Sequence, residues 1–382
     1  MIELLYAGFD TLDVAIAGAL MPDAISTLET AREEAAERQE PVLTSIGPGR
    51  VEMHVSGHGM RGGYAFVVDT GPLGAKWMFK KNTNVALWNI FVSPRATMLL
   101  AYGYAGTRDR LWETLKAMGA RVTDHSINRV DFAMDFRTQG FELHHDQFVA
   151  HSHTKVSPHW GKREDAGDRN QPAAVTRGRR LESVTVGKQP GRQIIVYDKR
   201  REAVEKQKPF WFRAWGQDRG DPTLEVWRVE VRAGKRELKD KYQIRRFEDF
   251  EAGIGDVVVN ALQEVRYLAD RQGDSNVTRQ ELHPLWIAAQ AIAGAKLIDF
   301  RSGLTPDQIV EIERELAAER YANLFLGNAI GWAVALGLTD SEIANDLPDM
   351  LANRFSTAIR ADDGRLVTSI RRIRMKLNFI EK

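Results

Sequence analysis

Hydrophobic and polar residues alternate along several short stretches of the first 250 positions. In residues 128–136, Val130, Phe132, Met134 and Phe136 fall on one face and polar side chains on the other. An alternation of period two predicts a strand with one buried face. Similar stretches predict strands at FDTLDVAIAG, RVEMHVSGHG, GGYAFVVDTG, ATMLLAYGY, RLESVTVG, RQIIVYDK and PTLEVWRVEVRAG.

Helices are predicted between these strands. One opens at Pro22, a residue favoured in the first helical turn, and another stops at Gly119. A third is predicted over ELHHDQFVAHSH, followed by a polar loop over residues 157–172. The segments FDTLDVAI and RVDFAMDF are alike and each precedes a helix, which hints at two related β-α halves with a break near residue 120.

The pattern becomes helical throughout after about Asp249. Capping boxes at Thr305 and Thr339, each with Gln or Glu three residues later, mark helix starts there. We therefore predict an α+β domain over 1–249 and a helical C-terminal domain over 250–382. The fold class expected is α+β, with antiparallel sheets flanked by helices in a palm-like arrangement.

Composition narrows the function classes. The 382 residues are 43% hydrophobic and include no cysteine, which excludes disulfides and thiolate chemistry. The N-terminus lacks the pattern of a signal peptide and no apolar run is long enough to span a bilayer, so a cytoplasmic protein without membrane partners is expected. Residues 151–240 contain 21 Lys and Arg against 13 Asp and Glu, in a chain of net charge +1. This basic window is either a polyanion-binding surface or a set of solvated loops.

Three predicted strands each carry charge or a tyrosine on one face. These residues are Arg129, Asp131 and Asp135, then Tyr197 and Lys199, then Arg228, Glu230 and Arg232. Strands with salt-bridged solvent faces are the plain alternative. If the three strands share a sheet, the residues form one site suited to phosphoryl transfer onto a tyrosine, with carboxylates binding Mg²⁺ or Mn²⁺.

Spacing limits the predicted metal ligands. Asp131 and Asp135 lie four residues apart, about 13 Å along a strand, and cannot both bind one ion directly. We predict Asp131 and Glu230 as ligands, with Asp135 as a supporting or DNA-orienting residue.

The same motifs resemble, in order and spacing, the replication initiation factor family. Its members are rolling-circle initiators of plasmids and phages, and relaxases of conjugative mobile elements. The shared pattern is Arg-x-Asp-x-Ala-x-Asp, Tyr-Asp-Lys and Arg-x-Glu, which covers Arg129–Asp135, Tyr197–Lys199 and Arg228–Glu230. The resemblance covers residues 5–245. Lys188 and Gln189 stand where members often carry a Ser-Arg turn.

The resemblance implies a metal-dependent DNA nicking-joining endonuclease that initiates replication. Tyr197 would attack a phosphodiester at a single-stranded or cruciform origin, retain the 5′ phosphate and free a 3′-OH, with Lys199 assisting. A host helicase and polymerase would then act, and a homodimer would supply two tyrosines, since Tyr242 is a weak second candidate within the chain. The alternatives are a conjugative relaxase with the same chemistry and a catalytically inactive DNA-binding regulator.

Basic residues near the motifs are the expected DNA contacts. They are Arg129, Arg177, Arg179, Arg180, Lys188, Arg192, Arg200, Arg201, Arg228 and Arg232. Two other motifs are discounted. The pair His151 and His153 falls in a predicted helix, where residues two apart diverge, and the glycines of GHGMRG lead into a strand and indicate a hairpin turn.

Overall fold

Two long strands, β1 (Glu3–Ala19) and β7 (Arg121–Thr138), run side by side at the centre of a large antiparallel sheet. They belong to a computed structural model that describes residues 2–160, 180–270, 280–361 and 364–381. The chain divides into two compact units, Met1–Pro306 and Asp307–Lys382.

The other strands of the first unit are short. They are β2 (Val42–Ile46), β3 (Val51–Val55), β4 (Phe66–Asp69), β5 (Ala75–Phe79), β6 (Ile90–Pro94), β8 (Phe148–Val149), β9 (Val156–Trp160), β10 (Leu181–Gly187), β11 (Arg192–Asp198), β12 (Glu225–Gly234) and β13 (Arg266–Tyr267). The large sheet has the order β2-β3-β4-β5-β6-β1-β7-β12-β11-β10-β9, and β8 pairs separately with β13.

The helices of the first unit flank this sheet. They are α1 (Pro22–Arg38), α2 (Ala96–Ala117), α3 (Lys199–Glu205), α4 (Phe210–Trp215), α5 (Phe247–Glu264) and α6 (Pro284–Ala293). The second unit contains α7 (Pro306–Ala335), α8 (Asp340–Asn345), α9 (Leu347–Arg360) and α10 (Arg365–Leu377). No helix in the described residues combines the length and the apolar composition needed to cross a membrane.

The strand order is similar on the two sides of the β1–β7 pair. Each side begins with a long strand, its last strand (β6 or β12) returns to pair with the first, and a helix (α2 or α5) follows. The break expected near residue 120 falls in the turn between α2 and β7. The predicted α+β class, with an antiparallel sheet flanked by helices and a helical C-terminal region, is confirmed.

The sheet buries the apolar face that its alternation predicts. Phe132 and Met134 of β7 are fully buried in a core that also contains Phe250 and Val257 of α5 and Trp286 of α6. These helices therefore belong to the core of the first unit, and the division after Pro306 lies well beyond the boundary that the sequence placed at residue 249.

Several local predictions were wrong. ATMLLAYGY is part of α2, not a strand, because a continuous apolar run rich in Ala, Met and Leu suits a buried helix equally well. The helix is interrupted at Gly103 (φ 62°), where an added Cβ would lie 2.3 Å from a guanidinium nitrogen of Arg301. Residues 145–153 form a 3₁₀ turn, a short strand and a hydrogen-bonded turn instead of a helix. Residues 157–160 of the predicted loop belong to β9, and 161–172 lie outside the described residues.

Candidate active site

Three neighbouring strands, β7, β12 and β11, bring the predicted residues together on one face of the sheet. The register pairs Arg232 with Asp131, and Arg228 with both Asp135 on one side and Tyr197 on the other. Glu230 lies between these positions on β12. The pairing follows from the buried alternation of the strands, since a slip of one residue would move the charged residues into the core.

Tyr197 contacts Glu230 directly. Its hydroxyl donates a hydrogen bond of 2.9 Å to Oε2 of Glu230, and its side chain is half-buried. Burial raises the pKa of Tyr197 well above its usual value; the positive charge of Arg228 opposes this shift and the carboxylate of Glu230 adds to it. The phenol is therefore protonated at neutral pH, and the carboxylate that accepts its hydrogen bond is in place to take the proton.

Arg232 joins the two carboxylates predicted as metal ligands. Its Nε lies 2.5 Å from Oε1 of Glu230 and 3.6 Å from Oδ2 of Asp131. Arg129 also pairs with Asp131, with a hydrogen bond of 2.9 Å from Nε to Oδ1. Burial raises the pKa of Asp131 to about 6; the hydrogen bond from Arg129 opposes the shift and Glu230 adds to it. Arg232 is thus a cation shared by both carboxylates, and Arg129 is a second cation paired with Asp131.

Asp135 belongs to a buried network centred on Arg228, whose Nη1 also lies 4.0 Å from Oε2 of Glu230. Arg228 donates to it through Nε at 2.5 Å and Nη2 at 2.8 Å, and the indole of Trp215 donates to Oδ2 at 2.8 Å. The guanidinium of Arg228 also lies 4.1 Å from the ring centroid of Trp211. Both oxygens of Asp135 are engaged by Arg228 and Trp215, so the carboxylate is not free to bind a metal ion or DNA, and a supporting role is what we assign to it. Arg228 is fully buried and is not placed to make the DNA contact predicted for it.

The alternation predicted that Lys199 continues β11, but the structure places it on the following helix. The strand ends at Asp198, whose side chain caps α3 by accepting a hydrogen bond from the backbone N–H of Arg201, and Lys199 is the first helical residue. Its Nζ is 2.7 Å from Glu202 and 5.6 Å from the ring centroid of Tyr197. Burial and the nearby Arg228 lower the pKa of Lys199 to about 8. The ammonium therefore lies beside the tyrosine ring, already engaged by a carboxylate.

Asp10 is a site residue that the sequence analysis missed. It lies at a register shift in β1, between the pairs Phe9–Phe132 and Thr11–Asp131. Its Oδ2 is 3.4 Å from Nη1 of Arg228, and Arg228 lowers its pKa against the opposing effect of burial. The signal was available, since Asp10 in FDTLD matches Asp131 in the similar segment VDFAMD.

The side chains predicted to contact DNA differ in solvent exposure and in whether they are already paired within the protein. Arg180 is exposed and lies 3.4 Å from Asp198, and Lys188 is exposed in the turn between β10 and β11. Three others are engaged within the protein: Arg192 with Glu264, Arg200 with the backbone carbonyl of Asp221, and Arg201 with Glu182 and Glu205. Arg177 and Arg179 lie outside the described residues.

The donor set at the site suits a hard ion in part. Asp131 and Glu230 offer carboxylate oxygens toward one shared cation, the kind of ligand that Mg²⁺ and Mn²⁺ prefer. Within the described ranges, no group of three or more His, Asp or Glu side chains is arranged to hold a metal. The residues fit an ion bound by two protein carboxylates, with its other ligands supplied from outside the described chain.

Tyr242 lies in a different environment from Tyr197. It directly follows a π-helical turn over Glu237–Lys241, and its hydroxyl is buried without a hydrogen-bond partner in the described part of the chain. No carboxylate therefore accepts its proton, and Tyr197 is the better placed of these two tyrosines.

Comparison with solved structures gives a distant likeness. No family model matches the chain, and no curated protein matches it. Among solved structures, the chain is similar to a rolling circle replication initiator protein from Geobacillus stearothermophilus, with 13% identity and a TM-score of 0.38 over 80% of this chain and 100% of that one. This likeness is too distant to assign a function.

Proposed function

We propose that the protein is a rolling-circle replication initiator that nicks and rejoins one DNA strand through Tyr197. The observation that carries the proposal is the hydrogen bond of 2.9 Å from the Tyr197 hydroxyl to Glu230. A nucleophile with a raised pKa needs a base within hydrogen-bond reach, and here the base is part of the same charged cluster as Asp131 and Arg232.

The proposed reaction is a transesterification. The Tyr197 oxygen forms a bond to phosphorus as its proton passes to Glu230, and the bond from phosphorus to the 3′ oxygen breaks. The 3′ oxygen takes a proton from water and leaves as a 3′-OH, the hydroxide formed takes the proton from Glu230, and the 5′ phosphate stays on the tyrosine. Attack by a 3′-OH on this phosphotyrosine reverses the step and rejoins the strand.

The surrounding cations support this step. Arg129 and Arg232 keep part of their side chains exposed, and they can contact phosphate oxygens as negative charge builds. Arg228 is fully buried and acts through the tyrosine, since its charge favours the phenolate. A Mg²⁺ or Mn²⁺ ion held by Asp131 and Glu230 would supply polarisation of the phosphate.

The partners of this reaction also belong to the proposal. The substrate is an origin that is single-stranded or extruded as a cruciform. A host polymerase extends the freed 3′-OH and acts together with a host helicase. A conjugative relaxase would use the same residues in the same step on a transfer origin.

A covalent adduct tests the proposal. The parent protein, incubated with single-stranded DNA of the element that carries its gene and with Mg²⁺ or Mn²⁺, is expected to give a protein–DNA band that survives denaturation. Peptide mapping is expected to place the nucleotide on Tyr197. Tyr197→Phe keeps the ring and its packing, so it should bind DNA as the parent does and form no adduct.

Two results would contradict the assignment. An adduct formed by Tyr197→Phe, or mapped to Tyr242, would move the chemistry elsewhere in the chain. DNA binding by the parent without any adduct would favour the inactive regulator instead.

A further inference from the structure

An open cleft of about 700 Å³ lies at the tip of the β10–β11 hairpin, at the end remote from Tyr197. Its walls are the turn from Gly187 to Arg192, the residues just before β9, and the π-helical turn over Glu237–Lys241. π-Helical turns are rare and often occur at functional sites. The cleft takes no part in the site described above.

Positive charge dominates the lining of this cleft. Five cationic side chains line it, against the carboxylates of Glu237 and Asp240: Lys155, Lys188, Arg192, Arg236 and Lys241. Lys241 and Arg192 are bound to Glu264 at 2.8 Å and 2.7 Å. The other three, in the part of the chain that the structure describes, have no ion-pair partner and are exposed to solvent.

Two of the five cations are committed within the cleft wall. Nη1 of Arg192 lies 3.9 Å from Oε1 of Glu237, at ion-pair distance and beyond hydrogen-bond range, and Nζ of Lys241 lies 3.6 Å from the same oxygen. Both atoms of the Arg192–Glu237 pair are buried, so the exposed donors of the cleft are those of Lys155, Lys188 and Arg236.

The position of the cleft relates it to the tyrosine. β11 runs from Arg192 at the cleft to Tyr197, five residues or about 17 Å away. Arg192 shares the parity of the buried Ile194 and Val196, whereas Tyr197 lies on the opposite face of the sheet. A DNA strand that reaches both the cleft and Tyr197 must cross the turn between β10 and β11, where Lys188 is exposed.

We propose that this cleft binds the phosphodiester backbone of the substrate DNA several nucleotides from the scissile phosphate. The proposal rests on the proposed function of Tyr197, which makes DNA the polyanion at hand. Ammonium and guanidinium donors that are not already paired suit phosphate oxygens, and their contacts are independent of base sequence.

Salt dependence of DNA binding tests this assignment. Lys188→Gln combined with Arg236→Gln removes two of the unpaired, exposed cations. The probe is a fluorescent single-stranded DNA of about 30 nucleotides and mixed sequence, titrated over a series of NaCl concentrations. Each lost phosphate contact lowers the slope of log affinity against log salt by about 0.7, so the double variant should lose about 1.4.

Matched variants separate a local contact from net charge. Lys116→Gln with Arg121→Gln removes the same charge from exposed positions far along the chain from the cleft, and should keep the slope of the parent. The double variant Lys188→Arg with Arg236→Lys keeps the charge and should show the salt slope of the parent. Equal slopes for the cleft variant and the Lys116/Arg121 control would overturn the proposal.

Adduct formation distinguishes this proposal from the chemistry of Tyr197. At low salt and high DNA concentration, the cleft variant should still form the covalent adduct. Loss of the salt slope without any adduct in the parent would contradict the tyrosine chemistry and leave the cleft in place. An adduct in the parent with an unchanged slope in the cleft variant would contradict the cleft alone.

Discussion

The hydroxyl of Tyr197 and the carboxylate of Glu230, on neighbouring strands, are joined by a hydrogen bond of 2.9 Å. Partial burial raises the pKa of Tyr197, and Glu230 is almost fully buried. The half-buried phenol and the buried carboxylate form a proton donor and acceptor in contact, and two arginines beside them compensate the negative charge.

Glu230→Gln should remove the proton acceptor and preserve the shape of the site. We expect adduct formation to slow by about 10²-fold or more, the usual contribution of a general base. Binding of single-stranded DNA should change little, because a buried carboxylate makes no phosphate contact. The measurement is the rate of adduct formation under single-turnover conditions, with binding followed by anisotropy. An unchanged rate would assign Glu230 a purely structural role.

Breaking the buried pair of Arg228 and Asp135 should destabilise the first unit strongly. Arg228→Met leaves Asp135 buried without its guanidinium, and the free energy of unfolding should fall by about 3–5 kcal/mol. Trp215→Phe removes only the indole hydrogen bond to Asp135, and the loss should be about 1–2 kcal/mol. Urea denaturation of both variants checks the order. A larger loss from Trp215→Phe than from Arg228→Met would show that the ion pair is not what holds this part of the sheet.

Asp131 should make the folded state more stable at acid pH than at neutral pH. Its pKa is about 6 in the folded protein, against 3.8 when unperturbed, so the folded state holds the proton more tightly. The folded protein therefore binds more protons between about pH 4 and 6, and its contribution to stability is present below pH 4 and is lost as pH rises through 6, by up to about 3 kcal/mol.

The comparison that isolates this effect is Asp131→Asn. The difference in unfolding free energy between parent and variant should be measured from pH 4 to 7.5. It should change between about pH 4 and 6 and level off at higher pH. Groups such as Glu202, whose pKa is lowered to about 2 by Lys199 and Lys208 in spite of its burial, cancel in the difference. A flat difference would mean that Asp131 titrates normally.

A fragment ending at Pro306 should fold alone, and a fragment ending at residue 249 should not. The shorter fragment lacks most of α5, including the fully buried Phe250, Val257 and Val258, which pack on the sheet. The fragment 1–306 retains the whole core and the site of Tyr197. Circular dichroism and thermal unfolding distinguish the two. Cooperative unfolding of the fragment 1–249 would restore the boundary that the sequence predicted.

Alternation along the chain was enough to predict the faces of β7, β11 and β12. The large apolar residues of each strand fall at every second position, so Asp131, Tyr197 and Glu230 were placed on the opposite face. In β7 and β12 that second face is buried as well, with Asp131 and Glu230 each 1% exposed, and alternation does not predict this. Alternation says nothing of the order of strands in the sheet, and the adjacency of these three came only from the structure.

Other features depended on information that no local pattern carries. The end of β11 at Asp198 depends on a capping hydrogen bond, which moved Lys199 onto a helix. The burial of Arg228 depends on Trp211 and Trp215 of α4, a helix too short to show periodicity. Asp10 enters the site through a register shift in β1, and such shifts arise from the pairing of two distant segments.

Divalent metal should be required for adduct formation, and Asp131 should set its affinity. The reason is that Asp131 and Glu230 are hard oxygen ligands, and both carboxylates lie around one positive charge, the guanidinium of Arg232. EDTA should abolish the adduct, and Mn²⁺ should restore it. Asp131→Asn should raise the Mn²⁺ concentration needed for half-maximal rate by at least about tenfold, since an amide is a weaker ligand than a carboxylate.

Mn²⁺ binding measured by electron paramagnetic resonance gives a readout that is independent of catalysis. The matched control is Asp13→Asn, a carboxylate in β1 whose Oδ1 accepts a hydrogen bond of 2.7 Å from Ser93. It removes a negative charge near Arg129 and leaves Asp131 and Glu230 in place. If Asp131→Asn weakened Mn²⁺ binding no more than Asp13→Asn does, the carboxylates of β7 and β12 would be partners of the arginines alone. Rate enhancement by Mn²⁺ would then have to come from an ion carried by the DNA.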